Sequence, residues 1–134
     1  MDARQAELCK QLSRMSSDQA ADWLIDTYPI DSDEWGEAIL LLPHRSWKKS
    51  EQQRLANHFF KKLPFSGYRG YEAFASIMSV ASMVGCVKKA LPEDAARREL
   101  LLYYLVPVLR RSAKNDSDRR IIEDFVGDIE KEVG

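Results

Sequence analysis

Apolar residues recur along this chain at spacings of three and four, interrupted at proline, glycine and short polar clusters. No alternating apolar/polar stretch of useful length intervenes. The periodicity predicts an all-α fold of six or seven helices. The first runs from about Ala3 to Met15 with Leu8 and Leu12 inward, and the second begins at Ser17, a favourable N-cap, and stops at Tyr28 before Pro29. A third starts at Asp31 or Ser32, where Asp31 and Glu34 have capping-box spacing, and ends before Pro43. The fourth spans roughly Trp47 to Leu63, with Leu55, Ala56, Phe59, Phe60 and Leu63 as its buried face. Pro64 and the stretch from Ser66 to Gly70 follow as a flexible turn.

Two segments are apolar enough to lie buried at the centre, about residues 71–91 and 93–112. In the first, Phe74, Ile77, Met78, Ala81 and Val84 share one side. Ala75, Ser79, Ser82 and Cys86 form another, small enough for a neighbouring helix to approach closely. The second opens with Pro92, Glu93 and Asp94, which suit a helix start, and Pro107 should kink or break it. Asn115 to Ser117 caps a last helix with a stripe of Ile121, Ile122, Phe125, Ile129 and Val133. A compact bundle or a short stack of helical hairpins satisfies this pattern. Trp23, Trp35 and Trp47 fall twelve residues apart, but their flanking residues do not match, so no repeat is inferred.

Composition narrows the class without naming a function. A chain of 134 residues fits a single domain, 1–134, and 31% charged with 45% hydrophobic residues excludes disorder as its bulk state. Cys9 and Cys86 show no disulfide or metal-ligand spacing and read as reduced thiols. Residues 1–12 are too charged for a signal peptide, and the longest uncharged run, residues 73–87, is shorter than the ~20 apolar residues of a membrane span. The expectation is a cytoplasmic protein with no membrane association.

Charge changes the picture most. The formal net charge of −1 conceals a segregation: residues 15–44 carry seven carboxylates and no Lys or Arg, and residues 45–62 carry six Lys/Arg and one Glu. Asp18, Asp22 and Asp26 share a face of the second helix, where the dipole favours the first and disfavours Asp26 near the C-terminal end. Projection of the third helix gathers Asp33, Glu34 and Glu37 on one arc with Leu40 and Leu41 beside them, so that Leu41 emerges among the carboxylates and Trp35 lies opposite, toward the core. Asp22, Asp26, Asp33, Glu34, Glu37 and Leu41, with Trp23 or Tyr28 as aromatic anchors, are therefore the candidate surface for a protein partner with a basic face. Such a surface suits an immunity- or antitoxin-like inhibitor that occludes the cleft of a toxin, a nuclease for instance, by imitating phosphate charge.

The basic segment supports an alternative. Arg45, Trp47, Lys48, Arg54, His58, Lys61 and Lys62 project away from the fourth helix's apolar face and could contact phosphates and stack on bases. A pI of 6.1 and the absence of a nucleic-acid-binding signature count against it. Pairing of this face with the acidic helices inside one molecule is the competing structural explanation. No metalloprotease, P-loop, nucleophile-elbow or dinucleotide motif is present, and His44 and His58 lack zinc-ligand spacing. The segment from Asp31 to Gly36 imitates the start of a calcium loop but puts Trp35 and Leu42 at ligand positions. No catalytic residue, cofactor or metal is expected.

Overall fold

A computed structural model describes the backbone of residues 1–133 and the side chains of residues 1–131. Its described residues form eight α-helices: α1 (Ala3–Arg14), α2 (Ser17–Thr27), α3 (Trp35–Leu41), α4 (Lys49–Phe59), α5 (Arg69–Ile77), α6 (Val80–Lys89), α7 (Ala95–Ser112) and α8 (Asp116–Val133). Single 3-10 turns extend α3 over Leu42–His44 and α4 over Phe60–Lys62. The all-α class is as the periodicity predicts, with more helices than expected.

Local chemistry explains the boundaries. Asp2 and Ser16 each cap a helix in a full capping box, with Gln5 and Gln19 reciprocating, so α2 is capped one residue earlier than the sequence suggested. The expected central helix over 71–91 is two helices. Met78 is extended, and the Ser79 hydroxyl accepts from the Ser82 amide as the N-cap of α6. Ser79, read as a packing residue, is thus punctuation, and the change of direction leaves Ala81 exposed. The second expected central helix starts at Ala95 behind Asp94 as N-cap, and Pro107 lies within α7 without ending it. Pro107 faces outward, so the backbone bond it removes lies on the wet side. α3 begins at Trp35 and has no side-chain cap, because Asp31 to Glu34 form turns instead of the expected first turn of helix.

One apolar core joins all of these elements, from Leu12 through Leu24, Leu42, Phe59, Phe74 and Leu105 to Ile129. α2 packs on α4, α4 on α6, and α3 on α5; α7 lies against α5 and α8, and α8 also covers α6. Of the α8 stripe, Ile122, Phe125 and Ile129 are buried and Ile121 is half-buried; the side chain of Val133 lies outside the described residues. No described helix is long and apolar enough to cross a membrane.

The turn expected to be flexible is anchored. Phe65 packs against Trp35, Phe60 and Tyr71, and its amide donates to the Tyr71 hydroxyl at 2.8 Å. A Cβ on Gly70 would lie 2.6 Å from the Phe65 ring, whereas a Cβ on Gly85, exposed in α6, meets nothing within 4 Å. Gly70→Ala should therefore destabilise by about 1–3 kcal/mol through overpacking. Gly85→Ala should stabilise by about 0.5–1 kcal/mol by restricting the unfolded chain. Denaturant midpoints of the two variants moving in opposite directions would verify this; equal shifts would refute it.

Candidate functional site

The acidic and basic segments meet along α2 and α4. α2 turns Ala20, Ala21 and Leu24 fully inward, and α4 does the same with Leu55, Ala56 and Phe59. At the rim, Arg54 bridges two carboxylates of α2, donating to Asp18 at 2.8 Å and to Asp22. The Ser17 hydroxyl accepts the Lys48 amide at 3.0 Å. Glu51, the only acid in the basic segment, is 6% exposed and accepts from the Ser50 hydroxyl at 2.5 Å. Hydrogen bonds from Ser50 and then Ser17 hold its carboxyl below the ordinary carboxylate value. Glu51 was not singled out from the sequence, and Ser17 was read only as the N-cap of the second helix; a lone acid in the first turn of a basic helix was the available signal.

Most of the proposed nucleic-acid face is spent on internal contacts. Trp47, expected outside, is 6% exposed, and its indole N–H donates to the Leu42 carbonyl at 2.9 Å. It precedes α4, so the helical projection that put it on an outer face does not apply. Arg45 donates to the Leu12 and Met15 carbonyls at 2.7 and 3.0 Å, closing the C-terminal end of α1, and its guanidinium lies 4.7 Å above the Trp47 ring. His58 Nε2 donates to the Tyr28 carbonyl at 3.1 Å at the end of α2. Lys48 and Lys61 point outward, and the Lys62 ammonium sits 5.8 Å above the Trp35 ring.

The acidic candidates divide in two. Glu37 is only partly exposed: it accepts from the Tyr28 hydroxyl at 2.6 Å and is ion-paired with Arg4. The Tyr28 bond first, then Arg4, holds the Glu37 carboxyl below its usual range. Burial first, and then the hydrogen bond to Glu37, pushes the Tyr28 phenol up to about 12. Tyr28, 2% exposed, is a core residue, and Trp23 meets it edge-on as a half-buried ring. Leu41, expected to emerge among the carboxylates, is fully buried, because α5 packs over α3 and its 3-10 extension. Leu40, beside it, is half-buried. Asp26, Asp31, Asp33 and Glu34 are exposed and carry no ion pair among the described residues.

These four carboxylates form an acidic ledge from the last turn of α2 through the turn before α3. Glu34, at the end of the ledge, is followed in the chain by Trp35, which lines a groove between α3 and α5. Two adjoining hollows of about 250 and 370 Å³ share Ile39, Leu40 and Arg69; Trp35 and Phe65, stacked with centroids 5.7 Å apart, line the first. Trp35, expected in the core, is half-buried at this groove. The groove is apolar at Trp35, Ile39, Leu40 and Phe65, with Arg69 lining both hollows and the Lys62 ammonium over Trp35, and the four acids stand just before it in the chain. Among the described residues no three His, Cys, Asp or Glu side chains lie close enough to hold a metal ion.

No protein-family model matches the chain, and neither a curated protein nor a solved structure matches it significantly.

Glu37 and Glu51 both ionise more readily in the folded chain than a free carboxylate does. A depressed folded value contributes stability above the unfolded value and loses it as pH falls through the folded one. Stability should therefore decline below the ordinary carboxylate range. Glu37→Gln and Glu51→Gln should each lower stability at neutral pH and flatten that acid limb, as read from urea midpoints between neutral and acidic pH. An acid limb as steep as that of the unaltered chain would contradict these roles.

Proposed function

We propose that this chain is a stoichiometric protein-binding domain without a catalytic step, directed at a partner with a basic surface. In its concrete form it is an immunity- or antitoxin-like inhibitor of a toxin such as a nuclease, whose phosphate-binding cleft the ledge would occupy. One observation carries the reading: among the described residues Asp26, Asp31, Asp33 and Glu34 are exposed and make no ion pair, in a chain that pairs Asp18, Asp22 and Glu37 internally. Asp26 also stands at the end of α2 where the helix dipole disfavours a negative charge, so helix formation does not account for it. Uncompensated charge of one sign steers an oppositely charged partner, and the neighbouring Trp35 and Leu40 supply apolar contact to retain it. The nucleic-acid alternative would have to rest on Lys48, Lys61 and Lys62 once Arg45, Trp47, Arg54 and His58 are engaged internally.

The test is capture on the tagged chain from a lysate of its native cells, washed at low and then moderate salt, with protein and nucleic acid identified separately. The expected result is one near-stoichiometric basic protein. Combining Asp26→Asn, Asp33→Asn and Glu34→Gln should slow its association about tenfold and flatten the salt dependence. Leu40→Ser should mainly speed dissociation. Recovery of nucleic acid alone, or a partner indifferent to all four changes, would overturn the proposal.

A further inference from the structure

The groove at Leu40 continues along the exposed side of α5. Three hollows of about 370, 220 and 510 Å³ adjoin there, and Ser76 lines all three. The end of α3 and its 3-10 extension give an apolar wall at Ile39, Leu40 and Pro43, and α7 gives another at Val108. Lys49 at the start of α4 and Lys114 after α7 both line the last hollow. The charge of this groove is mostly of one sign. Arg69, Arg111, Lys49 and Lys114 line it, against one acid among the described residues, Glu72, which lies 4.0 Å from Arg111. Arg69, Lys49 and Lys114 are exposed, and their side chains make no ion pair or hydrogen bond among the described residues. Asp118 accepts the Lys114 amide at 3.0 Å but does not line the groove, and neither do Asp33 and Glu34 before Trp35.

A trough with apolar walls and three unopposed cations is complementary to a chain that combines aliphatic side chains with carboxylates. We propose that this groove holds an extended acidic segment of a partner protein, laid along α5. Its apolar side chains rest on Leu40, Pro43 and Val108, and its carboxylates face Arg69, Lys49 and Lys114. The nine residues of α5 span ~13 Å, which about five extended residues cover. A single strand of nucleic acid would require rings for its bases to stack on, and no aromatic side chain lines these three hollows among the described residues. A contact with one short segment is small, so its Kd is roughly micromolar or weaker. The groove shares Leu40 with the apolar contact proposed beside the ledge, but its charge selects the opposite sign, so the two readings fail separately.

Fluorescence anisotropy of labelled peptides with the full chain tests this. The probes are short peptides that permute Glu with Leu and Phe, the same peptides with Lys for Glu, and a short oligothymidylate. At least one Glu peptide should bind saturably, and neither the Lys peptides nor the oligothymidylate should. Arg69→Glu and Lys114→Glu should each weaken that binding about fivefold or more, and Glu72→Gln should tighten it about twofold. Ser76→Tyr changes no charge and should abolish binding by filling the place where the three hollows meet. Neutralising the ledge at Asp26, Asp33 and Glu34 should not weaken it. All of the altered residues are exposed, and unchanged melting of the variants would verify that they fold. Failure of every Glu peptide to bind, equal binding of the Lys peptides or the oligothymidylate, or indifference to Ser76→Tyr or to the charge reversals would each overturn the proposal.

Discussion

The docking of α2 on α4 decides what the remainder of this surface is free to do. Its stability comes from burial: Ala20 and Ala21 are small enough for the helices to approach, and Leu24, Leu55 and Phe59 are fully excluded from water. Each large side chain so placed contributes about 1.5–3 kcal/mol. The Arg54 bridge at the rim is half-exposed and opposes carboxylates that are 72% and 57% exposed, so its share is about 1 kcal/mol or less. Apolar contact fixes the joint, and the charges follow it. Once Arg54 is drawn to Asp18 and Asp22, Arg45 to the end of α1 and Glu37 to Tyr28 and Arg4, the segregated charges are no longer two free faces. They become an internal seam and a residue of four unopposed acids.

That partition gives the molecule three distinct exteriors. Along α2 and α4 lies a neutralised seam. From Asp26 to Glu34 runs a charged ledge bordering an apolar groove at Trp35 and Leu40. On α7 the chain presents the exposed Tyr103 beside Leu100 and Pro107. Charge steers from a distance but contributes little held affinity in water, while apolar and aromatic surface does the reverse. The proposed binding of a foreign protein rests on the nearness in the chain of the ledge and the groove that begins at Trp35.

Much of the fold was legible because local rules were obeyed. Proline before and after α3, serine and aspartate at helix starts, and three- and four-residue apolar spacing led to the right class and to α1, α2, α4 and α8 within a residue or two. The failures share a cause. Ser79 in an apolar run reads equally as a small packing residue or as a cap, and only the tertiary turn at Met78 decides between them. Leu40 and Leu41 are adjacent on a short helix, and which one emerges depends on where α5 lies, which no local spacing encodes. Trp47 was placed by a helical projection outside the helix. The segment 93–112 was read as a buried central helix, yet α5 and α8 leave Leu100, Tyr103 and Pro107 of α7 exposed. The charge segregation was visible at once; its division into paired and unpaired carboxylates required the distances.

The partition is tested most directly by association kinetics of the captured partner at about 0.15 M ionic strength, where charges farther than roughly 8 Å from the contact are screened. Neutralising the ledge at Asp26, Asp33 and Glu34 is compared with neutralising the seam through Asp18→Asn and Asp22→Asn. The ledge variant should lose about tenfold in association rate, whereas the seam variant should associate within about twofold of the unaltered chain and lose only a little stability. Equal losses from both sets, or a loss confined to the seam, would contradict the division of charge described for this protein.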